Sequence, residues 1–189
     1  MATLNCAKPL AAFLDLIAAS EGTSSHPDTR ADGYDVIVSG IDGHHTFTDF
    51  ATHPFALGRA PILVRAAEPA EYEPCDGTST AAPREVKPAV PALHSTASGR
   101  YQLILPTWAE ISTLMHLGTF SAQNQDAAAL RILDECHATE LILALEIEAA
   151  IEKACDVWAS FPGNLYHQGG RPISWLLAHW QMYLGAQNA

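Results

Sequence analysis

Glu21 stands where a side chain can transfer protons. It closes the segment Pro9-Leu-Ala-Ala-Phe-Leu-Asp-Leu-Ile-Ala-Ala-Ser-Glu21, and Gly22 follows. Leu10, Phe13, Leu14 and Ile17 recur at the spacing of one helical face, and one more turn from Ile17 reaches Glu21. The spacing predicts an amphipathic helix over Pro9–Glu21, with Gly22 fit to cap it. A carboxyl at that point faces apolar packing at the negative end of the helix dipole. Both effects favour the neutral form. A glutamic acid that keeps its proton near neutral pH can protonate a leaving-group oxygen. A glutamate in a last helical turn is also often a half-exposed surface residue, so position alone leaves both readings open.

Other residue types with chemical potential are dispersed. Cys6, Cys75, Cys136 and Cys155 show no CxxC spacing and no paired framework, which predicts reduced thiols. His44 and His45 are adjacent, so on a strand they face opposite sides and cannot share a metal. Neither a metal nor a cofactor is expected. Ser20 and Ser98 lack a convincing His and Asp pattern for a serine hydrolase.

The elements that must hold Glu21 follow in order. After a polar loop, Gly22 to Asp32, Gly33-Tyr-Asp-Val-Ile-Val-Ser-Gly40 reads as a strand. Asp42-Gly43 is a hairpin turn, and His45-Thr-Phe-Thr-Asp-Phe50 reads as the returning strand. Residues 59–94 hold six of the twelve prolines and show no sustained period, which predicts an extended, partly polyproline-like excursion with little core of its own. Pro106 starts a helix bearing Trp108, Ile111 and Met115, and Ser121 caps another from Ala122 to about His137. A long helix is predicted from Thr139 to Ser160, with Leu141, Leu145, Ile151 and Trp158 as core candidates. Phe161-Pro162-Gly163 stops it, and a last helix runs from Pro172 to about Gly185. The expectation is one α+β domain spanning all 189 residues, mostly helical, with a small antiparallel ribbon after the first helix.

Composition narrows the function. A 48% hydrophobic content supports a sizeable core, and a net charge of −11 with only 10 scattered basic residues argues against nucleic acid. No apolar run reaches the roughly 18 residues of a membrane span. Met1 to Ser20 is rich in Ala and Leu, but Asp15 interrupts it, so the segment reads as mature structure and not a signal peptide.

A helix ending in Glu, a ribbon and a helical lobe is the chain order of lysozyme-like folds. The chain resembles the phage lambda-type endolysins, soluble lytic transglycosylases of that superfamily. The strings that carry the resemblance are Ala12-Phe-Leu-Asp15, Ser20-Glu-Gly-Thr23, Arg30, Gly33-Tyr-Asp-Val-Ile-Val38, Phe47-Thr-Asp49, His53-Pro54, Gly99-Arg-Tyr-Gln-Leu103, Gln125-Asp126, Trp158-Ala-Ser160 and Pro162-Gly163. They span about residues 8–58 and 95–170, with the 59–94 segment as an insertion. The resemblance implies that Glu21 is the single catalytic acid/base. It implies that Tyr101 and Gln102 contact glycan, Tyr34 and Asp35 flank the cleft, and Tyr166 closes the groove. Plainer roles stay open: Tyr34 and Tyr101 at the core boundary, Asp35 or Asp49 bracing the ribbon, Gln125-Asp126 starting a helix, and Arg100 paired with a buried carboxylate.

The resemblance also implies the reaction. Glu21 would protonate the oxygen between N-acetylmuramic acid and N-acetylglucosamine in peptidoglycan, then draw a proton from the muramic C6 hydroxyl, leaving a 1,6-anhydro end. Hydrolysis on the same bond, as a muramidase, would more usually employ a second carboxylate, for which Asp35 and Asp49 are the candidates. A wall-binding or virion module without turnover is a further alternative, and a zinc amidase a remote one. The resemblance places the protein, expected as a monomer, in host cytoplasm on synthesis, with holin-dependent release to act on glycan strands in the periplasm.

Overall fold

Nine of the thirteen residues of the first helix are buried, and this sets the architecture. The structure is a computed structural model that describes residues 1–72, 85–164 and 170–187. Helix α1 (Lys8–Ser20) buries Ala11 through Ala18 without a break, and Ser20 as well. The one-sided amphipathic helix expected from the sequence is therefore corrected to a central helix enclosed all round. Its alanines let neighbouring helices approach closely, and α1 packs against α3, α4 and α6. Phe13, Leu14, Leu16 and Ile17 fill the middle of the core.

The ribbon follows as an antiparallel pair, β1 (Val36–Gly40) and β2 (Gly43–Thr46), in the register Val36↔Thr46 and Ile37↔His45. It is shorter than predicted at both ends. Gly33 to Asp35 form a turn, and beyond Thr46 the rings of Phe47 and Phe50 pack together at 4.9 Å instead of extending the strand.

The described residues of the proline-rich segment pair as short strands where a partly polyproline-like course was expected. β3 (Ile62–Arg65) pairs with β6 (Leu93–Ser95), Glu68 bridges Val90, and β4 (Glu71–Tyr72) pairs with β5 (Glu85–Lys87). The result is an antiparallel arm. Its strands are two to four residues long and interrupted by register shifts, so no alternation accumulates in the sequence. Pro61, Pro69, Pro88 and Pro91 flank the strands without entering them.

The lobe comprises α2 (Leu105–Leu114), α3 (Ala122–Glu135), α4 (Thr139–Leu143), α5 (Ile147–Ala154) and α6 (Ile173–Ala186). Ser121 caps α3 by accepting from the Asn124 N–H. The single helix expected over Thr139–Ser160 is corrected to α4 and α5, with Trp158 buried beyond the end of α5. The break is a Schellman turn: the Glu146 N–H bonds the Leu141 carbonyl and the Leu145 N–H bonds the Ile142 carbonyl. Leu145 takes the left-handed position, at φ +64°, that glycine usually fills, and its side chain is exposed instead of in the core. Met115, the last of the apolar residues expected on the Pro106 helix, likewise lies at the surface as its C-cap.

Candidate active site

Glu21 owes its position to how α1 ends. It is the C-cap residue, its own N–H still bonded to the Ile17 carbonyl at 2.9 Å. Gly22 then turns left-handed at φ +74°, and its N–H bonds the Ala19 carbonyl. The Thr23 N–H bonds the Ala18 carbonyl at 3.0 Å, completing a Schellman turn. The Glu21 side chain is thereby fixed at the mouth of the core, half-buried.

Its immediate partner comes from the far end of the chain. The Ser160 hydroxyl lies 2.6 Å from Glu21 Oε1, and Ser20 Oγ lies 2.8 Å from Ser160 Oγ. Burial pushes the Glu21 carboxyl above its ordinary value, and the hydrogen bonds from Ser160 pull it back only in part. The carboxyl therefore keeps its proton to higher pH than an ordinary glutamic acid. Ser160 lies in the Trp158-Ala-Ser160 string, but nothing in sequence spacing ties it to Glu21.

The Gly99–Gln102 turn is clamped beside this site. The Thr23 hydroxyl donates to the Arg100 carbonyl at 2.6 Å, and the Trp158 indole N–H donates to the Tyr101 carbonyl at 3.1 Å. The turn is thus tied both to the loop after Glu21 and to the segment that carries Ser160. Gly99 has φ +77°, and a Cβ there would fall 2.1 Å from Gln125 Oε1, so only glycine fits. Gln102, at φ +50°, is half-buried, and its side-chain amide donates back to the Gly99 carbonyl at 3.0 Å.

The glycan contact implied for Tyr101 and the cleft-side position implied for Tyr34 give way to the buried alternative. Tyr34 and Tyr101 are only 3% and 1% exposed, and their hydroxyls donate to the same oxygen, Asp126 Oδ1, at 2.7 and 2.6 Å. Burial and the adjacent carboxylate push both phenols upward, so they stay protonated donors. Asp126 Oδ2 accepts from the Thr3 N–H, the Thr3 hydroxyl and the Leu4 N–H. Gln125 accepts from the Arg100 N–H and donates to the Tyr34 and Phe120 carbonyls. Gln125-Asp126 is therefore a buried hub that joins turn, ribbon and N-terminus, more than a helix start.

Asp35 is buried and braces the loop, accepting from the Thr29 hydroxyl and from the Arg30 N–H at 2.8 Å. It lines a hollow of about 730 Å³ between residues 27–31 and β2, shared with His44, Thr46, Phe47 and Phe50. Glu21 is not among the lining residues. Asp49 is exposed and accepts from the Ala51 N–H. Tyr166 lies outside the described residues. His44 bonds Ser39 and His26 while His45 bonds Asp42, so the adjacent histidines diverge. Among the described residues no group of three or more His, Cys, Asp or Glu is arranged to hold a metal.

A buried central helix ending in a half-buried glutamic acid of raised pKa, with an antiparallel ribbon and a helical lobe following it, defines a lysozyme-like α+β protein. Comparison with known proteins makes this specific. A family model described as Endolysin matches residues 11–72 and 76–187. The endolysin of Escherichia phage P2 is 37% identical over 183 residues, covering 96% of this chain and 96% of that protein. The endolysin of Escherichia phage lambda is 35% identical over 158 residues, covering 83% and 79%. A structure of bacteriophage lambda lysozyme complexed with a chitohexasaccharide aligns at TM-score 0.70 with 30% identity, over 96% of this chain and 97% of that one. A second lambda lysozyme structure aligns at TM-score 0.61 with 27% identity, over 97% and 94%. The chain belongs to the endolysin family. It is an endolysin of the lambda-lysozyme type, a bacteriophage enzyme that degrades host peptidoglycan.

Proposed function

We propose that the protein is a lytic transglycosylase in which Glu21 alone serves as acid and then as base. The observation that carries this reading is the raised, Ser160-bonded carboxyl of Glu21 beside the clamped Gly99–Gln102 turn. As an acid, Glu21 gives its proton to the oxygen linking N-acetylmuramic acid to N-acetylglucosamine, and the C1–O bond breaks as the oxocarbenium-like centre forms. As a carboxylate, it then takes the proton from the C6 hydroxyl while that oxygen bonds to C1. The products are a 1,6-anhydromuramic end and a free 4-hydroxyl, and Glu21 is again protonated. No water enters.

Two features favour this route over hydrolysis. Asp35 is buried, held by the Thr29 hydroxyl and the Arg30 N–H, and lines a hollow whose lining does not include Glu21, while Asp49 is a surface carboxylate bonded to the Ala51 N–H that follows it. Asp35 and Asp49 thus read as braces of the loop and ribbon, and the single-carboxyl route needs neither as a second carboxylate. Gln102 supplies the amide for an N-acetyl or hydroxyl group of the sugar, consistent with the glycan bound by the related lambda lysozyme.

No helix among the described residues is long and apolar enough to cross a membrane. The proposed route to the wall is a partner pore, a holin, with the endolysin acting as a monomeric single domain in the periplasm. Mass spectrometry of digested peptidoglycan tests the chemistry: anhydro ends lack one water relative to reducing ends. Reducing ends alone would establish a muramidase instead.

A further inference from the structure

Three oxygens form a continuous line into the helix end. Glu21 Oε1 is 2.6 Å from Ser160 Oγ, Ser160 Oγ is 2.8 Å from Ser20 Oγ, and Ser20 Oγ is 2.9 Å from the Ile17 carbonyl oxygen. The line has three short contacts but only two hydroxyl protons, unless Glu21 itself carries one. Hydrogen counting therefore gives two arrangements. With Glu21 ionised, Ser20 donates to Ser160 and Ser160 donates to the carboxylate, leaving the Ile17 carbonyl to its main-chain partner, the Glu21 N–H. With Glu21 neutral, its O–H donates to Ser160, Ser160 donates to Ser20, and Ser20 donates to the Ile17 carbonyl. Every oxygen stays where it is, and only the two hydroxyl hydrogens rotate.

We propose that Ser160 and Ser20 are positioning residues forming a reversible hydroxyl relay that satisfies Glu21 in both its acid and its base state. The inference rests on the acid/base role proposed above for Glu21. A single group that must donate a proton and then collect another needs an environment suited to each form. A fixed donor would stabilise only the carboxylate, and a fixed acceptor only the acid. Ser20 is buried and Ser160 half-buried, so neither hydroxyl is freely exchanged for water. The relay lets one geometry serve both steps without reorganisation of heavy atoms.

The relay predicts opposite signs for two similar substitutions. Ser160→Ala strips the hydroxyl donor and leaves the carboxylate only the Ser160 main-chain donor, so the Glu21 pKa rises and the alkaline limb of the pH–rate profile moves to higher pH. Ser20→Ala leaves Ser160 free to donate to the carboxylate but removes the acceptor that the neutral state needs, so the limb moves to lower pH. Each shift is about half a pH unit or more, from the difference between charged and neutral hydrogen bonds. Ser160→Thr and Ser20→Thr, which keep the hydroxyl, restore the wild-type limb.

The measurement pairs solubilisation of purified sacculi across pH with a carbon-13 carboxyl titration of Glu21 in the intact, substrate-free chain. Should an alanine variant fail to fold, Ser160→Cys and Ser20→Cys weaken the same bonds and carry the same opposed signs. Shifts of one sign in both variants, or none in folded protein, overturn the relay. Product masses separate this from the reaction assignment. Opposed shifts with reducing ends support the relay and reject the transglycosylase, whereas anhydro ends with unmoved limbs reject the relay alone.

Discussion

Arg100 Nη2 and Asp15 Oδ1 meet at 2.8 Å inside the protein, with 2% and 1% of their side chains exposed. The pair pins the Gly99–Gln102 turn to the middle of α1. Asp15 also accepts from the Ala2 N–H, and Arg100 reaches Asp32 at 2.9 Å while its guanidinium lies over the Tyr34 ring. Removing one partner strands the other charge without water. Arg100→Met is expected to lower unfolding stability by about 3–5 kcal/mol. The double variant Arg100→Met with Asp15→Leu should recover most of that loss, because no unpaired charge remains. Urea denaturation of the three variants measures both.

Asp126 should be as sensitive, for a different reason. Its two oxygens accept five hydrogen bonds, from Tyr34, Tyr101, Thr3 (two) and Leu4. An asparagine offers one accepting oxygen and presents N–H donors to groups that also donate. Asp126→Asn is expected to cost about 3 kcal/mol or more, while Tyr34→Phe or Tyr101→Phe, each losing one donor, costs about 1–2 kcal/mol. Thermal melts that ranked either Phe variant below Asp126→Asn would contradict the hub.

Glu21→Gln separates stability from chemistry. The folded carboxyl holds its proton to higher pH than the unfolded one, whose ordinary value is 4.5. The native state therefore binds more protons across that window, and wild-type stability falls as pH rises through it. Glutamine has no charge to desolvate. The variant should be at least as stable as wild type at pH 7, with a flatter stability profile above pH 4.5. Lytic activity should drop at least about 100-fold, since the amide neither gives nor takes the proton. Wild-type lysis by the variant would refute the assignment.

His53 gives the opposite pH sign. It is buried, its Nε2–H donates to the Leu103 carbonyl at 3.0 Å, and its Nδ1 accepts from the Phe55 N–H. Burial pulls its pKa below the ordinary 6.5. The unfolded chain then takes up a proton that the native chain refuses, so this contribution is intact above pH 6.5 and lost as pH falls toward the folded value. Proton NMR should place the imidazole below 6.5, and His53→Gln should flatten the stability slope between about pH 7 and pH 5.

Glu21 was legible because it ends a periodic apolar segment and precedes a glycine, two local signals that agree. Its serine partner was not, since 139 residues separate Glu21 from Ser160 and only folding joins them. For Tyr34 and Tyr101 the sequence leaves a cleft role, implied by the resemblance, and a core role open together. Their burial is decided by Asp126, which neither tyrosine's local sequence reveals. The α4–α5 break escaped for a related reason. Leu145 occupies a left-handed turn with no glycine or proline to flag it, whereas Gly22 announced the same turn at the end of α1.

The arm at residues 59–94 divides into two parts that should respond differently to deletion. Glu68 and Val90 exchange both main-chain bonds, at 2.8 and 2.9 Å, which is the pair that flanks a two-residue hairpin. Replacing residues 69–89 with Asn-Gly therefore closes the arm in register. The described strand residues this removes, in β4 and β5, are all exposed. Closer in, Ile62 and Leu63 are half-buried, the Ile41 N–H bonds the Leu63 carbonyl at 2.9 Å, and Gly40 has no room for a Cβ beside Ile62. The base of the arm is thus part of the ribbon that frames the site. The distal replacement should leave the melting temperature within a few degrees of wild type, and the lysis rate unchanged if the arm is mere excursion. A cut extended through Ile62 and Leu63 should cost about 2 kcal/mol or more from lost burial and pairing. A folded distal variant with tenfold slower lysis would show instead that the arm touches the wall.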